Sequence, residues 1–352
     1  MDALIIGAGI NGLLTALALA GRGLNVTVVD RGAVARESTW AGAGILSPLL
    51  PWDYGEEINA LTERGRALWP ELAERLRRDT AVDPEYWQCG MLVEGSFDRD
   101  AAFAWCRQHG WDYSATAPDT GKAPRSGLWL PQVAQARNPR LAKSIETACR
   151  QAGIRILDHL GISGLRHGNG VVEAALGPNG EFHADRYVIA SGAWSGRLLG
   201  DAALGLRISP VRGQILLFKA APGTLNHIVF RHGKYLVPRR DGHILAGSTL
   251  EDAGFDKTCT GDAKAALLEF ALDTLPALRD AELVHQWSGL RPGSPGNLPT
   301  IARHPELTNL YINSGHFRYG VTMAPASAEL LTQLLLASPT TLDPTPYVWP
   351  GA

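Results

Sequence analysis

Four groups of residues in this chain have the types and spacing to do chemistry. The first is Gly7-Ala8-Gly9-Ile10-Asn11-Gly12, with Asp30 at the end of the next apolar run. In such a pattern Gly7 permits a tight turn, Gly9 lets backbone approach a pyrophosphate, and Gly12 lets a helix pack closely on its strand. The helix N-terminus offers free N–H groups and partial positive charge, and Asp30 falls where a carboxylate accepts hydrogen bonds from a ribose. The second group is the small-residue run Ser38-Thr39-Trp40-Ala41-Gly42-Ala43-Gly44-Ile45. Small residues there suit close approach of backbone to a flat ligand, or form a plain flexible loop. The third comprises Arg291 in WSGLRPG and Arg318 in GHFRYG, with Tyr235 on a separate segment. Either arginine can fork onto a carboxylate with two parallel hydrogen bonds, and a tyrosine hydroxyl can add a third. A structural ion pair for the arginines, and a half-buried strand position for the tyrosine, stay open. The fourth is Ser191-Gly192-Ala193-Trp194, a small-residue turn after a buried strand.

Other chemistries lack residues to carry them. There is no GxSxG nucleophile elbow and no HExxH or CxxC pattern. Cys89, Cys106, Cys149 and Cys259 are far apart and read as free thiols of a reducing cytoplasm, with no disulfide and no metal site. Cofactor chemistry is what remains, in which the protein supplies binding, orientation and electrostatics.

These groups need elements to position them. The period and turn signals predict a strand at Leu4–Ile6, a helix over Leu13–Arg22 and a strand at Val26–Val29. An amphipathic helix follows at 56–78. Between 86 and 135 short strands and a short helix alternate with Pro/Gly loops. A helix at 139–152 and a further parallel strand at 154–157 lead into an antiparallel meander at 162–182 and a buried strand at 186–190. Residues 208–250 alternate with strand period and read as an antiparallel sheet of their own. A helix at 262–275 and strand at 282–290 precede Leu310–Asn313 and a C-terminal helix from about Gly320. The expected fold is α/β: a Rossmann-like domain assembled from separated segments (1–85, 138–208 and 286–352). An α+β substrate domain with an antiparallel sheet (86–137 and 209–285) is inserted between them.

The 352 residues suffice for one large or two medium domains, and 45% apolar with 19% charged residues describes an ordinary globular chain. A net charge of −2 favours neither nucleic acid nor an acidic membrane surface. No run approaches the ~18 apolar residues of a membrane span. The first strand begins at once, with Asp2 and no basic n-region, so no secretory leader is expected. The reading is therefore cytoplasmic, with no nucleic-acid or membrane partner.

Taken together, GAGINGLLTALALAGRGLNVTVVDRG, STWAGAGILSP, VIASGAWSG, WSGLRPGSPGNLPTIARHPE and NSGHFRYGVTMAPASAELL occur in an order that resembles the FAD-dependent amine oxidases of the D-amino acid oxidase superfamily. The similarity spans essentially the whole chain. It is greatest to the branch containing the glycine oxidases of thiamine biosynthesis. The resemblance implies non-covalent FAD. Ile10, Asn11, Asp30 and Arg31 would lie along its ADP half, and Ile162 would touch the adenosine side. Ser38, Thr39, Ala43, Gly44 and Ile45 would lie near the ribityl chain and ring. Tyr319, Gly320, Val321, Thr322 and Met323 would cradle the pyrimidine edge. Arg318 would clamp the substrate carboxylate, with Arg291 and Tyr235 completing the pocket. Gly233, beside His232, stands where the family member compared carries a histidine, and Leu250 where it carries a methionine. Both differences bear on side-chain specificity. The implied reaction oxidises glycine or a similar small primary or secondary amino acid to its imine with dioxygen, releasing hydrogen peroxide, and the imine either hydrolyses to a keto acid and ammonia or passes to thiazole synthase; the implied assembly is a homo-oligomer, tetramer or dimer. A sarcosine, proline or D-amino acid oxidase, a dehydrogenase of the same superfamily, a non-catalytic dinucleotide module and an NAD enzyme are the alternatives.

Overall fold

A computed structural model describes residues 1–117 and 126–350. Its centre is a six-stranded sheet in the order Thr300–Arg303, Leu310–Ser314, Arg186–Ile189, Asp2–Ile6, Asn25–Val29, Arg155–Leu157. All neighbours are parallel except the first pair. Side chains of a strand point alternately to opposite faces. Ala3 and Ile5 accordingly enter a core with Leu13, Leu19, Leu61 and Leu330 from three helices, Ile10–Ala20, Glu56–Thr80 and Gly320–Leu335. Leu4 and Ile6 face the other way, onto Val172 and Ala175 of a three-stranded antiparallel meander, Gly164–Gly168, Val171–Gly177 and Gly180–Phe182.

The start of the helix Gly320–Leu335 carries Pro325, which has no N–H for the carbonyl of Val321. Trp69 Nε1 donates to that carbonyl at 3.0 Å, and Gly65 lets the two helices meet, since a Cβ there would lie 2.1 Å from Thr322 O. The first turn of this helix is thus anchored by the helix Glu56–Thr80.

The second sheet has eight strands: Glu282–Gly293, Ser209–Lys219, His243–Gly247, Lys234–Pro238, Ile228–Arg231, Met91–Glu94, Ser126–Leu130 and Ser114–Thr116. One departure from the expected antiparallel sheet is that Ile228–Arg231 and Met91–Glu94 pair in parallel. They come from separate segments, so no hairpin forces them to run in opposite directions. The expected boundary at 285/286 falls inside the continuous strand Glu282–Gly293. Leu236, Ile244 and Ala246 pack under the helix Gly261–Thr274, while Tyr235, Val237 and Leu245 face the main core. That alternation turns Tyr235 toward the first sheet.

Candidate active site

Two cavities meet at the carboxyl ends of the parallel strands, where an open α/β sheet receives its ligands. The first, of about 730 Å³, is walled by Gly7, Asp30, Arg31, Ile162 and Trp194 among others. The second, of about 920 Å³, is walled by Asn11, Ala43, Gly44, Ile45, Tyr235, Arg291, Arg318, Tyr319, Gly320 and Val321 among others. Gly9, Ser38, Thr39, Ala190 and Gly192 line both, so the two lobes adjoin along a shared wall.

The glycines at the first lobe are required by space. Gly7 has φ +120°, and a Cβ there would lie 2.3 Å from Ala190 O. A Cβ on Gly12 would lie 1.9 Å from Gly7 O. Gly12 is therefore beneath the first lobe, holding the helix Ile10–Ala20 against the turn. Thr39 Oγ1 accepts the N–H of Ile10 at 3.0 Å, filling one position of the helix N-terminus from the small-residue run. Asp30 accepts N–H bonds from Ala8 at 2.7 Å and Gly32 at 2.9 Å. Burial nevertheless pushes its carboxyl above the usual range, the N–H bonds offsetting only part of the effect. Arg31 stacks its guanidinium 3.6 Å from the Trp194 ring and pairs with Glu37 at 3.2 Å.

In the second lobe, Gly44 (φ +75°) lies so close to Ala136 that a Cβ would sit 1.9 Å from its carbonyl oxygen. Arg291 lies flat over Gly213, where a Cβ would come within 2.2 Å of its guanidinium nitrogens. It donates to Ser248 Oγ at 2.8 Å and Thr249 O at 3.2 Å. Thr249 in turn belongs to a cluster in which Glu251 accepts from Thr249, Gln214 and Arg212, and Arg212 reaches Asp256 at 2.9 Å. Burial and the nearby Arg318 charge hold the Arg291 guanidinium below its usual range. The Tyr235 ring covers Gly247, its cross-strand partner. Arg318 is exposed on the lobe wall, with no hydrogen bond or ion pair among the described residues. Tyr319 is buried and donates to Tyr54 Oη at 2.7 Å, and burial raises its phenol well above the ordinary value.

Several expected residues lie elsewhere. Thr322 and Met323 are fully buried behind the wall, Thr322 Oγ1 donating to Ile45 O at 3.2 Å. Helix geometry explains this: only the first residues of Gly320–Leu335 reach the second lobe before the helix turns into the core. Gly233 and His232 form a hairpin turn between Ile228–Arg231 and Lys234–Pro238, and Leu250 is 55% exposed; none of the three is among the lobe's lining residues.

The structure also brings in residues that spacing did not single out. His316 is buried between Asn11, whose Nδ2 donates to its Nδ1 at 3.3 Å, and Ser327, whose Oγ lies 3.0 Å from Nε2. Desolvation holds its imidazole down to about 3, so it is neutral and carries its proton on Nε2. Asn313 donates to Thr15 Oγ1 at 3.0 Å. Its position at the end of a buried strand, next to the GHFRYG loop, was the only signal for it. The Oδ1 atoms of Asn11 and Asn313 are buried without a partner, and both residues line the second lobe. Such buried acceptors need a donor, from water or from a ligand.

The His316 environment has a pH consequence. In the unfolded chain a histidine binds a proton near pH 6.5, whereas the folded site excludes it. The unfolded state binds more protons below that pH, so stability is full above about 6.5 and falls with acid. About 2 kcal/mol should be lost between pH 7 and 5 from this group. Urea titrations at both pH values should show that difference shrinking in His316→Gln.

A glycine-turn helix N-terminus at one lobe, with two orphaned acceptors and an arginine unpaired among the described residues at the other, fits a flavin dinucleotide and a carboxylate substrate. Residues 2–334 match the DAO family of FAD dependent oxidoreductases. The chain is 41% identical over 357 residues to glycine oxidase of Pseudomonas aeruginosa, covering 99% of this chain and 98% of that one. It is 32% identical to the bifunctional protein ThiO/ThiG of Trichormus variabilis, covering 95% of this chain and 52% of that protein. Its structure matches the crystal structure of glycine oxidase from Geobacillus kaustophilus with TM-score 0.89 and 28% identity, covering 100% of this chain and 98% of that one. The chain belongs to the DAO family of FAD-dependent oxidoreductases. Among the described residues no helix is long and apolar enough to cross a membrane, and no cluster of three or more His, Cys, Asp or Glu could hold a metal ion.

Proposed function

We propose that this flavoenzyme oxidises glycine or a similarly small primary or secondary amino acid to its imine, with hydrogen peroxide as the other product. The observation that carries this reading is Arg318, a guanidinium with no partner among the described residues, in the same lobe as Ala43–Ile45, Tyr235 and Arg291. Gly7, Gly9, Asp30, Arg31, Ile162 and Trp194 would hold the adenosine and pyrophosphate half of FAD. Asn11, Thr39, Ala43–Ile45, Asn313 and Tyr319–Val321 would hold the ribityl chain and ring. When bound, FAD supplies the two-electron acceptor for amine oxidation and returns those electrons to dioxygen.

The chain's own residues do the rest. Arg318 forks onto the substrate carboxylate and orients the Cα–H toward the ring lobe. Arg291, held by Ser248 and Thr249, keeps a second positive charge beside the site. Two cations near a bound amino group disfavour its ammonium form and so promote the neutral amine, whose lone pair assists loss of hydride from Cα. The titratable groups on the lobe are Tyr235, Arg291, His316, Arg318 and Tyr319, with no carboxylate among the lining residues. His316 has its Nδ1 occupied by Asn11. Neither a carboxylate nor a free imidazole among the lining residues is therefore poised as a base for Cα, which suits hydride loss rather than proton abstraction. The imine hydrolyses to a keto acid and ammonia or passes to thiazole synthase, a link supported by the ThiO/ThiG relative. We take residues 1–85, 138–208 and 294–352 as the FAD-binding domain and the remainder as the substrate domain, the boundary moving from 285/286 to the end of the strand Glu282–Gly293. We place the enzyme in the cytoplasm as a homo-oligomer; its four cysteines are all free thiols.

Purified protein should be yellow, and anaerobic addition of a substrate amino acid should bleach it. Peroxide release against glycine, sarcosine, D-alanine and D-proline identifies the substrate. Flavin that none of them bleaches would overturn the proposal, and bleaching followed by sluggish colour return in air would make the enzyme a dehydrogenase.

A further inference from the structure

Arg239 has no part in the chemistry above, yet it is among the most deeply placed cations of the chain, only 6% exposed. It follows the strand Lys234–Pro238, and its N–H still bonds His243 O at 2.7 Å, so the strand pairing continues through it. Residues 235, 237 and 239 therefore share one face of the sheet. Tyr235 meets the substrate end of the second lobe, and Arg239 reaches the loop that walls the ring end. Its Nη2 donates to Ala43 O at 2.8 Å; its Nη1 donates to Ala136 O at 3.3 Å and to Gln135 Oε1. Every acceptor is neutral.

Glu85 and Asp241 favour its charge from a distance, but no carboxylate pairs with it directly. Arg137 lies near and opposes it, while Glu85 and Asp241 are drawn to Arg137 at 3.4 and 2.7 Å. Burial holds Arg239 down to about 10, which still leaves it cationic at neutral pH. An unpaired buried cation is costly, so its retention asks for a reason. The segment it grips supplies one. Ala43–Leu46 runs beside Ala134–Ala136, with Ala136 N donating to Gly44 O and Leu46 N to Ala134 O, both at 2.9 Å. Arg239 crosses from the substrate sheet to both strips at once, and Ala43, Gly44 and Ile45 line the lobe.

We propose that Arg239 is a positioning residue for the flavin ring, clamping the Ala43–Ile45 wall from the substrate sheet and holding a fixed positive charge behind it. This rests on the reading that the ring occupies the lobe walled by Ala43–Ile45. The clamp sets FAD affinity, because the wall keeps its place only while three acceptors are bridged by one planar fork. The charge favours added negative charge in the lobe, and so raises the reduction potential of the bound cofactor.

The test compares wild type, Arg239→Gln and Arg239→Lys as holoproteins. FAD affinity is read by fluorescence on dilution, reduction potential by dye equilibration, and thermal midpoint on the apoproteins. Arg239→Gln should bind FAD at least 10-fold more weakly and shift the potential to more negative values. Arg239→Lys keeps the charge but cannot bridge three acceptors, so it should hold the potential near wild type while losing affinity. Wild-type affinity and potential in Arg239→Gln, with only the thermal midpoint lowered, would show a purely structural role and overturn the inference. If Arg239→Gln does not fold, the lysine variant decides: weaker FAD at unchanged potential supports the inference, and unchanged affinity overturns it. Amino acid turnover by the wild type tests the proposed function separately, since affinity and potential are read without substrate.

Discussion

Replacing Arg318 with alanine should lower kcat/KM for the amino acid substrate by about 10²- to 10³-fold while leaving the fold intact. The two halves of that expectation come from one observation. Arg318 is exposed and has no partner among the described residues, so its removal strands no buried group, and a substitution of that kind shifts stability by only about ±0.5 kcal/mol. On the proposed reading the substrate carboxylate, by contrast, would lose its bidentate donor. That leaves a charge uncompensated, at about 3–5 kcal/mol. Lysine at this position keeps a point charge but not the fork, and should recover only part of the rate. Steady-state kinetics with an unchanged thermal midpoint would agree; near-normal turnover would remove Arg318 from the carboxylate. Arg291 is a poorer probe, because its guanidinium also holds Ser248 and Thr249, and its loss would disturb them.

The second large effect is expected from Gly12→Ala. The new Cβ would lie 1.9 Å from Gly7 O, 3.1 Å from Gly7 C and 3.3 Å from Ala190 Cβ. The first two are backbone atoms of the phosphate-side turn and cannot swing aside. The helix Ile10–Ala20 must lift away, at a cost of about 1–3 kcal/mol or more for overpacking. The N–H groups of its first turn move with it, and so do Asn11 and the Ile10–Thr39 bond. FAD affinity should fall by about 100-fold or more, since each misplaced hydrogen bond to an anion counts for about 1.5–3 kcal/mol. The check is colourless protein as purified, regaining yellow only at high added FAD. Wild-type FAD content in this variant would contradict the close crossing of helix and turn.

Legibility varied from place to place for physical reasons. The turn Gly7–Gly12 and Asp30 were readable because glycine at a strand–helix turn answers to local sterics, and an acid ending the second strand answers to a fixed βαβ geometry. Arg318, Arg291 and Tyr235 stood out by residue type in glycine-rich or strand contexts, and all three line one lobe. Thr322 and Met323 lie buried outside the lobe's lining, because neighbouring positions on a helix point in different directions and a continuous segment does not show which of them face the lobe. His316 was hidden although it sits two residues before Arg318. Nothing in its spacing indicates that it is buried between Asn11 and Ser327. The Glu251–Arg212–Gln214 cluster and Arg239 were hidden more deeply, as polar residues of strands and loops that look like ordinary surface positions.

By itself the sequence determined what depends on short range: which segments are strands or helices, where the chain turns on glycine, and that a dinucleotide grip opens a chain resembling flavin amine oxidases. The tertiary structure decided which distant residues share a wall. Asn11 meets His316 across 305 positions, and Arg239 holds Ala43 across 196. Contacts of that kind arise from how two sheets and their helices pack. Periodicity specifies the face each element buries but not its partner on the far side of the core.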